Sequence, residues 1–358
     1  MKKDNSLKYK LFKPLIGITM GDPAGIGPEI AAKALSRKDI YNECRPLVIG
    51  DAKVMEEACR IAKVDLKVNP VKRVNQGRYT WGILDVYDLE NVDIEKLVYK
   101  KVSKMAGKAS LDYIYKAIDL AVKKKIDATV TGPIHKEAIN LAGCPYAGHT
   151  EIFAACTGTR DYAMMLVEGD FRVVHVTTHI ALRDVSSRIK KERVLKVIKL
   201  AHSAMRDLGI ENPKILVPGL NPHASDGGLF GDEEEREIAP AIKEAKKEGI
   251  DVEGPVSPDT AFVKLKSKQY DVALAMYHDQ GHIPLKLLGF EWDAKSGQWK
   301  SISGVNVTLG LPIIRTSVDH GVAFEIAGEG KANPESLVQA IKLSVKLSLI
   351  KNKPYHFT

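Results

Sequence analysis

Apolar residues fall along this chain in two alternating patterns, short unbroken runs and longer stretches in which they recur every three or four positions. The runs at 15–19, 47–49, 128–131, 172–176, 214–217 and 272–276 read as buried strands. The stretch 109–123 places Leu111, Ile114, Ala117, Ile118 and Ala121 on one helical face. A last helix is signalled by Asn333 as a cap, Pro334 in the first turn, and Leu337, Ile341 and Val345 at every fourth position. Strands alternating with helices predict an α/β fold rather than an all-α or all-β one.

The chain has 358 residues, more than the roughly 250–300 that one hydrophobic core supports, so two domains are expected. It has no low-complexity linker and no internal repeat, which puts the boundaries in short crossovers near Thr131 and Gly304. The first domain is then 1–131 plus 304–358, built from both chain ends, and the second is 132–303. Within the second, 291–303 is polar apart from Trp292 and Trp299 and reads as an excursion or hairpin. The two tryptophans either pack on each other or cover a neighbouring site as a flap.

Composition changes the picture mainly by exclusion. Apolar runs fall far short of the ~20 residues of a membrane span, and the polar segment 4–13 behind a basic start lacks the apolar core of a signal peptide. Cys44, Cys59, Cys144 and Cys156 are widely spaced and form no C-x-x-C pair, which favours reduced thiols in a cytoplasmic protein over a zinc knuckle or disulfide framework. The net charge of +8 comes from lysines spread through helical patterns such as 185–199 and 237–247. That spread describes solvated helix faces rather than a nucleic-acid surface, and a basic field favours anionic, phosphate-bearing small molecules.

The most chemically loaded stretch is Tyr277-His278-Asp279-Gln280-Gly281-His282-Ile283-Pro284-Leu285-Lys286, directly after the apolar run 271–276. Polar clusters past the carboxyl ends of such strands are where α/β proteins bind ligands. His179 and His223 also follow strand-like runs. Three imidazoles with positions left open for water and substrate would make a catalytic metal site suited to zinc, cobalt or nickel; each alone reads better as an ordinary hydrogen-bonded histidine, and only the three together at strand ends bring the two readings level. His175, inside a strand, is assigned to structure. The glycine-rich turn 21–29 precedes a helical pattern beginning near Pro28, and it either offers helix-terminal amides to an anion or supplies backbone angles only. Its spacing does not match the Rossmann G-x-G-x-x-G. His149, Thr150, Lys286, Asn306 and Arg315 form a second set able to hold an anion, although His149-Thr150 could simply begin the helix containing Ile152 and Phe153.

Ordered blocks then carry a resemblance over nearly the whole chain: I-T-M-G-D-P-A-G-I-G-P-E (18–29), T-G-P-I-H-K (131–136), G-H-T-E (148–151), L-N-P-H-A (220–224), P-D-T (258–260), M-Y-H-D-Q-G (276–281) and G-V-N-V-T-L-G-L-P-I-I-R-T-S-V-D-H-G (304–321). The chain resembles the 4-hydroxythreonine-4-phosphate dehydrogenase (PdxA) family. The resemblance implies a two-domain α/β/α fold like that of isocitrate and isopropylmalate dehydrogenases, with the active site in the cleft between domains. It implies a divalent metal cation (Zn, Co, Ni, Mn or Mg) held by His179, His223 and His278, shared between the subunits of a homodimer. It further implies substrate contacts from His149, Thr150, Lys286, Asn306 and Arg315. The segment 320–334 resembles the loop that holds the adenosine end of NAD in those dehydrogenases, which points to His320, Gly321 and Asn333. Val322 and Phe324 stand there in place of the loop's serine and proline.

These parts imply metal-assisted oxidation of a hydroxyl beta to a carboxylate, hydride passing to NAD+, followed by decarboxylation. Asp259 and Asp279 would orient ligands or relay a proton. M-G-D-P (20–23), H-I-A-L-R (179–183), G-L-F-G-D-E-E (228–234) and His282 resemble the branch acting on D-threonate or D-erythronate 4-phosphate more than the pyridoxine branch. Two other classes stay open: an inactive metabolite-binding regulator, and a nucleotide-using transferase, for which no G-x-x-x-x-G-K-[ST] occurs.

Overall fold

The computed structural model describes residues 12–294 and 298–352, with the side chains of Trp292 and of residues 298–302 also outside the description. Residues 1–11, on which the expectation of no export signal largely rests, lie outside it as well. The chain forms two compact units, one of residues up to Gly158 together with those from Leu311 onward, the other Thr159–Gly310.

The first unit holds β1 (Leu15–Thr19), β2 (Arg45–Gly50), β3 (Lys67–Val71), β4 (Ile83–Asp88) and β5 (Ala128–Thr131). The second holds β6 (Ala163–Glu168), β7 (Phe171–His175), β8 (Ile215–Pro218), β9 (Val252–Val256), β10 (Val272–Ala275), the hairpin strands β11 (Phe290–Asp293) and β12 (Gln298–Ile302), and β13 (Val305–Leu309). The chain then returns to the first unit as β14 (Arg315–Val318). In the first unit the order is β3-β4-β2-β1-β5-β14 with every pairing parallel. In the second it is β13-β6-β7-β10-β8-β9, antiparallel at β13/β6 and β6/β7 and parallel from β7 to β9.

All six strands expected from apolar runs are present within two residues of their expected limits. The edge strands β3 and β9 escaped that reading because Lys67, Asn69, Pro70, Glu253 and Pro255 break their apolar pattern. Proline is tolerated there because an edge strand has one face of its hydrogen-bond ladder unpaired.

The compact units divide after Gly158 and after Gly310, where the sequence leads one to expect boundaries near Thr131 and Gly304. The reason is packing. The Lys104–Val122 helix, capped by Ser103 Oγ accepting the Ala106 amide at 3.1 Å, turns Leu111, Ile114 and Ile118 onto Ile139, Ile152 and Phe153. The segment 132–158 is therefore bound into the first core. The Glu335–Lys351 helix buries Leu337, Ile341 and Val345 as expected.

Within the 291–303 excursion β11 and β12 pair antiparallel, with position 292 opposite 299. Among the described residues no helix is long and apolar enough to cross a membrane. Cys44, Cys59 and Cys144 are buried free thiols and Cys156 is exposed. Burial pushes the Cys44 thiol up to about 12 and the Cys59 thiol up to about 11, which keeps both protonated.

Candidate active site

In the second unit β7, β10 and β8 are parallel neighbours. The chain leaving their carboxyl ends carries His179, His278 and His223 in that order. His278 opens the His278–Gly289 helix, and its ring centroid lies 5.5 Å from that of His179. Asp279 Oδ1 stands 2.6 Å from His278 Nδ1. A carboxylate at Nδ1 holds the proton there and directs the Nε2 lone pair outward, which is how ligating histidines are oriented.

His223 stands in different surroundings. It begins four successive non-glycine residues with positive φ, His223 (54°), Ala224 (55°), Ser225 (70°) and Asp226 (45°). This backbone region is sparsely populated by such residues, and its strain persists only where the surroundings over-determine it. Here Glu234 Oε1 accepts the amides of Leu220 and Asn221 at 2.7 and 2.8 Å, and Ser225 Oγ donates to the Gly231 carbonyl. His223 Nδ1 lies 3.4 Å from Ser257 Oγ, which donates to Asp259 Oδ1 at 2.5 Å. The Ser257 hydroxyl, and to a lesser degree His223, hold the Asp259 carboxyl below its ordinary range. Both carboxylates singled out in the sequence thus stand behind imidazoles. Among the described residues of the single chain, no three His, Cys, Asp or Glu side chains converge as a metal site.

The sequence reading missed a contact between His282 and His175. His282 stacks on His278 with centroids 3.6 Å apart and planes 11° off parallel, and lies 4.7 Å from His175. Burial pushes His282 down to about 4 and His175 down to about 3, so both rings are neutral at pH 7. Gly281 is what admits His175: a Cβ there would sit 2.4 Å from His175 Nε2. The i, i+4 spacing of 278 and 282 was the available signal, but strand burial of His175 could not be paired with it from sequence.

Lys286 follows one turn after His282, half-buried, its Nζ 5.2 Å from the centre of the Phe290 ring. Asn306 lies on β13 with its Oδ1 buried and without a hydrogen-bond partner among the described residues. The other side of the His278–Gly289 helix is apolar and exposed at Ile283, Leu287 and Leu288. With Phe262 and Val263 it lines a groove of about 680 Å³ that Asp259 and Asp279 also border.

In the first unit the carboxyl ends of the adjacent parallel strands β1, β5 and β14 bring together the glycine turn, T-G-P-I-H-K and Asp319-His320-Gly321. The residues that depart from the resembled loop have structural partners here. The Val322 carbonyl accepts the Ile26 amide at 3.0 Å, and Phe324 stacks on His135 with centroids 5.0 Å apart. Gly25 allows the approach, since a Cβ there would lie 2.9 Å from Val322 Cβ. His320 Nδ1 donates to the Gly321 carbonyl at 2.9 Å, while Asn333 Oδ1 caps the last helix by accepting the Glu335 amide at 2.8 Å.

Arg315, 3% exposed, reaches along β14 to donate to Thr131 Oγ1 at 2.7 Å, with its guanidinium 5.6 Å from the Phe153 ring. Burial lowers its pKa to about 9, against the opposing pull of Glu151, and the group remains a cation at neutral pH. His149 and Thr150 begin the His149–Cys156 helix. Burial and the Arg315 cation push the His149 imidazole well below its ordinary value, and its Nε2 is buried without a hydrogen-bond partner among the described residues. A buried cation beside a neutral imidazole and a helix start is chemically an anion receptor.

Comparison with known proteins gives the family. Residues 42–344 match the family described as pyridoxal phosphate biosynthetic protein PdxA. A protein of Oceanobacillus iheyensis named "Putative D-threonate 4-phosphate dehydrogenase" is 47% identical over 94% of this chain and 98% of its own length. A Clostridium botulinum protein of the same name is 44% identical over 94% and 97%. Among solved structures, a 4-hydroxythreonine-4-phosphate dehydrogenase from Klebsiella pneumoniae superposes with TM-score 0.83 at 40% identity, covering 94% of this chain and 99% of its own. One from Burkholderia phymatum gives 0.80 at 43%, covering 94% and 98%. The fold and its relatives define an oxidoreductase of the dehydrogenase class. The chain belongs to the PdxA family.

Proposed function

We propose that this protein catalyses the NAD-dependent and divalent-metal-dependent oxidation of a 4-phosphorylated four-carbon hydroxy acid followed by decarboxylation. D-threonate or D-erythronate 4-phosphate is the proposed substrate and dihydroxyacetone phosphate the product. The observation that carries the reading is the pair His179 and His278, 5.5 Å apart, with Asp279 set behind His278.

The donor set fits a borderline cation: three imidazoles, of which His278 has Asp279 at its Nδ1 and His223 has Ser257 near its own. His179 and His278 would come from one chain and His223 from a second copy, because His223 stands with Ser257 and Asp259 instead. The exposed apolar groove bordered by Asp259 and Asp279 is where that copy would dock to form the homodimer. Held by these three imidazoles, a divalent cation would supply Lewis-acid chemistry toward the substrate oxygen that is oxidised, and NAD+ would be the hydride acceptor. The C1–C2 bond then breaks, carbon dioxide departs, and C2 takes a proton.

Arg315, His149 and Thr150 are proposed phosphate contacts; Lys286 and Asn306 are proposed further substrate contacts. Asp279 and Asp259 orient imidazoles. His320, Gly321 and Asn333 belong to the loop proposed to hold NAD.

The relatives at 44–47% identity support the sugar-acid substrate, as do H-I-A-L-R and His282. The solved structures at 40–43% identity favour the second reading, oxidation of 4-phosphohydroxy-L-threonine. NADH formation from D-threonate 4-phosphate, D-erythronate 4-phosphate and 4-phosphohydroxy-L-threonine, each with defined metals, separates them. Preference for the amino acid overturns the substrate assignment, and silence with all three overturns the catalytic reading. Unchanged metal content and turnover in His223→Ala would overturn the metal assignment.

A further inference from the structure

An imidazole at the first position of a helix, such as His278, is ordinarily free to turn about two side-chain torsions. Here its edge and its face are both engaged. Asp279 takes Nδ1 at 2.6 Å, and the ring of His282 lies flat against it at 3.6 Å between centroids and 11° between planes. His282 is itself fixed. Its Nδ1 donates to the His278 carbonyl at 2.9 Å, it is 6% exposed, and its ring leans on His175 at 4.7 Å. His175 is fully buried in β7, with its Nδ1 3.4 Å from the Met164 carbonyl. The row therefore runs from a rigid sheet outward through His175 and His282 to His278.

We propose that His282, backed by His175, is a positioning residue that holds the His278 ring in the orientation in which it presents Nε2. This rests on the reading of His278 as a metal ligand. A planar ring is what the position requires, because only a flat face can lie parallel to His278 over its whole area; a branched aliphatic side chain fills the volume without restricting the rotation. The hydrogen bond from Nδ1 to the His278 carbonyl sets which face His282 turns, and the sheet behind His175 stops the pair from sliding inward. Fixing a ligand before the metal arrives raises affinity by removing the ordering cost from the binding step.

Two variants separate the stack from its alternatives. His282→Phe keeps a planar face but no ring nitrogen; His282→Leu keeps apolar volume but no plane. In metal-free protein carrying 13C-labelled histidine, the His278 ring protons, assigned with His278→Gln, should be ring-current shifted in wild type and His282→Phe. They should move to the unstructured position in His282→Leu. Zinc affinity, measured by competition with a chromophoric chelator, should stay within about threefold in His282→Phe. In His282→Leu it should fall at least about tenfold, the scale of lost outer-shell support.

An unmoved His278 signal in His282→Leu overturns the proposal. Equal loss of zinc affinity in both variants also overturns it, since a planar face at position 282 would then not be what supports His278. Should wild type and His223→Ala bind zinc equally, the metal reading falls, while the metal-free His278 signal still decides whether His282 positions the ring.

Discussion

The carboxylate of Glu29 accepts the backbone amide of Ala332 at 2.7 Å, although some three hundred residues separate them in sequence. Glu29 also accepts the Gly330 amide at 3.1 Å, and Lys33, one helical turn on, bonds Glu29 and the Gly330 and Ala332 carbonyls. A helix that starts at the glycine turn thus clamps the segment 320–334. Replacing Glu29 with alanine leaves the Gly330 and Ala332 amides without their acceptor and takes from Lys33 its carboxylate partner, a loss of about 2–4 kcal/mol given that Lys33 is partly exposed and keeps two carbonyls. The variant should bind NAD+ at least about tenfold more weakly in fluorescence titration. Unchanged NAD+ affinity alongside lowered stability would separate the clamp from the cofactor.

Arg315→Lys should keep the charge but lose the planar fork and the stacking on Phe153. Charge-assisted hydrogen bonds contribute about 1.5–3 kcal/mol, so kcat/KM for the phosphorylated substrate should fall roughly 10- to 100-fold. The loss should appear mainly in KM. A variant with wild-type KM would remove Arg315 from the phosphate site.

Gly281→Ala would place a methyl 2.4 Å from His175 Nε2. The ring has β7 behind it, so the expected cost is about 1–3 kcal/mol, in the range of core overpacking. Thermal unfolding of the metal-free variant measures it, and an unchanged Tm would show that His175 can yield.

Stability of the metal-free protein should decline as pH falls below the ordinary histidine range. His149, His175, His202 and His282 all have lowered pKa values, chiefly through burial. Below about 6.5 the unfolded chain takes up protons that the folded chain refuses, so stability is full above that pH and is lost on the way down through about 4 for His282 and about 3 for His175. The carboxyls of Asp39 and Glu329, held down to about 2 by lysine and arginine partners, add their losses as pH falls from about 4.5 toward 2. Denaturant titrations between pH 7.5 and 5 isolate the histidine effect. Rising stability across that range on acidification would contradict it.

Leu287→Asp would put a charge at the most exposed apolar position of the groove-lining helix, 78% exposed in the single chain. If a second copy covers that face, sedimentation should show a shift toward monomer and turnover should collapse with it. A variant that remains dimeric and active would place the interface elsewhere.

The candidate site was legible wherever chemistry is concentrated in a short window. His278, Asp279 and Lys286 sit within nine residues, and the carboxylate behind His278 is simply its neighbour. Gly25 and Gly27 announced a turn, and Pro28 a helix start. Less could be read where a contact joins distant segments: the partners of Glu29 lie in the last tenth of the chain, and His175 looked like a strand residue because nothing local ties it to His282.

By itself the sequence determined the alternation of strands and helices, the last helix, and the residue types of the chemistry. Periodicity and strand-end position are local properties, written within one or two turns of chain. Only the tertiary structure decided which histidines meet. The parallel order β7-β10-β8 brings His179 beside His278 and leaves His223 with Ser257 and Asp259, and the packing of Ile139, Ile152 and Phe153 on the Lys104–Val122 helix moved the unit boundary to Gly158. Those outcomes depend on which apolar faces bury one another, and that is settled between segments far apart in the chain rather than within any one of them.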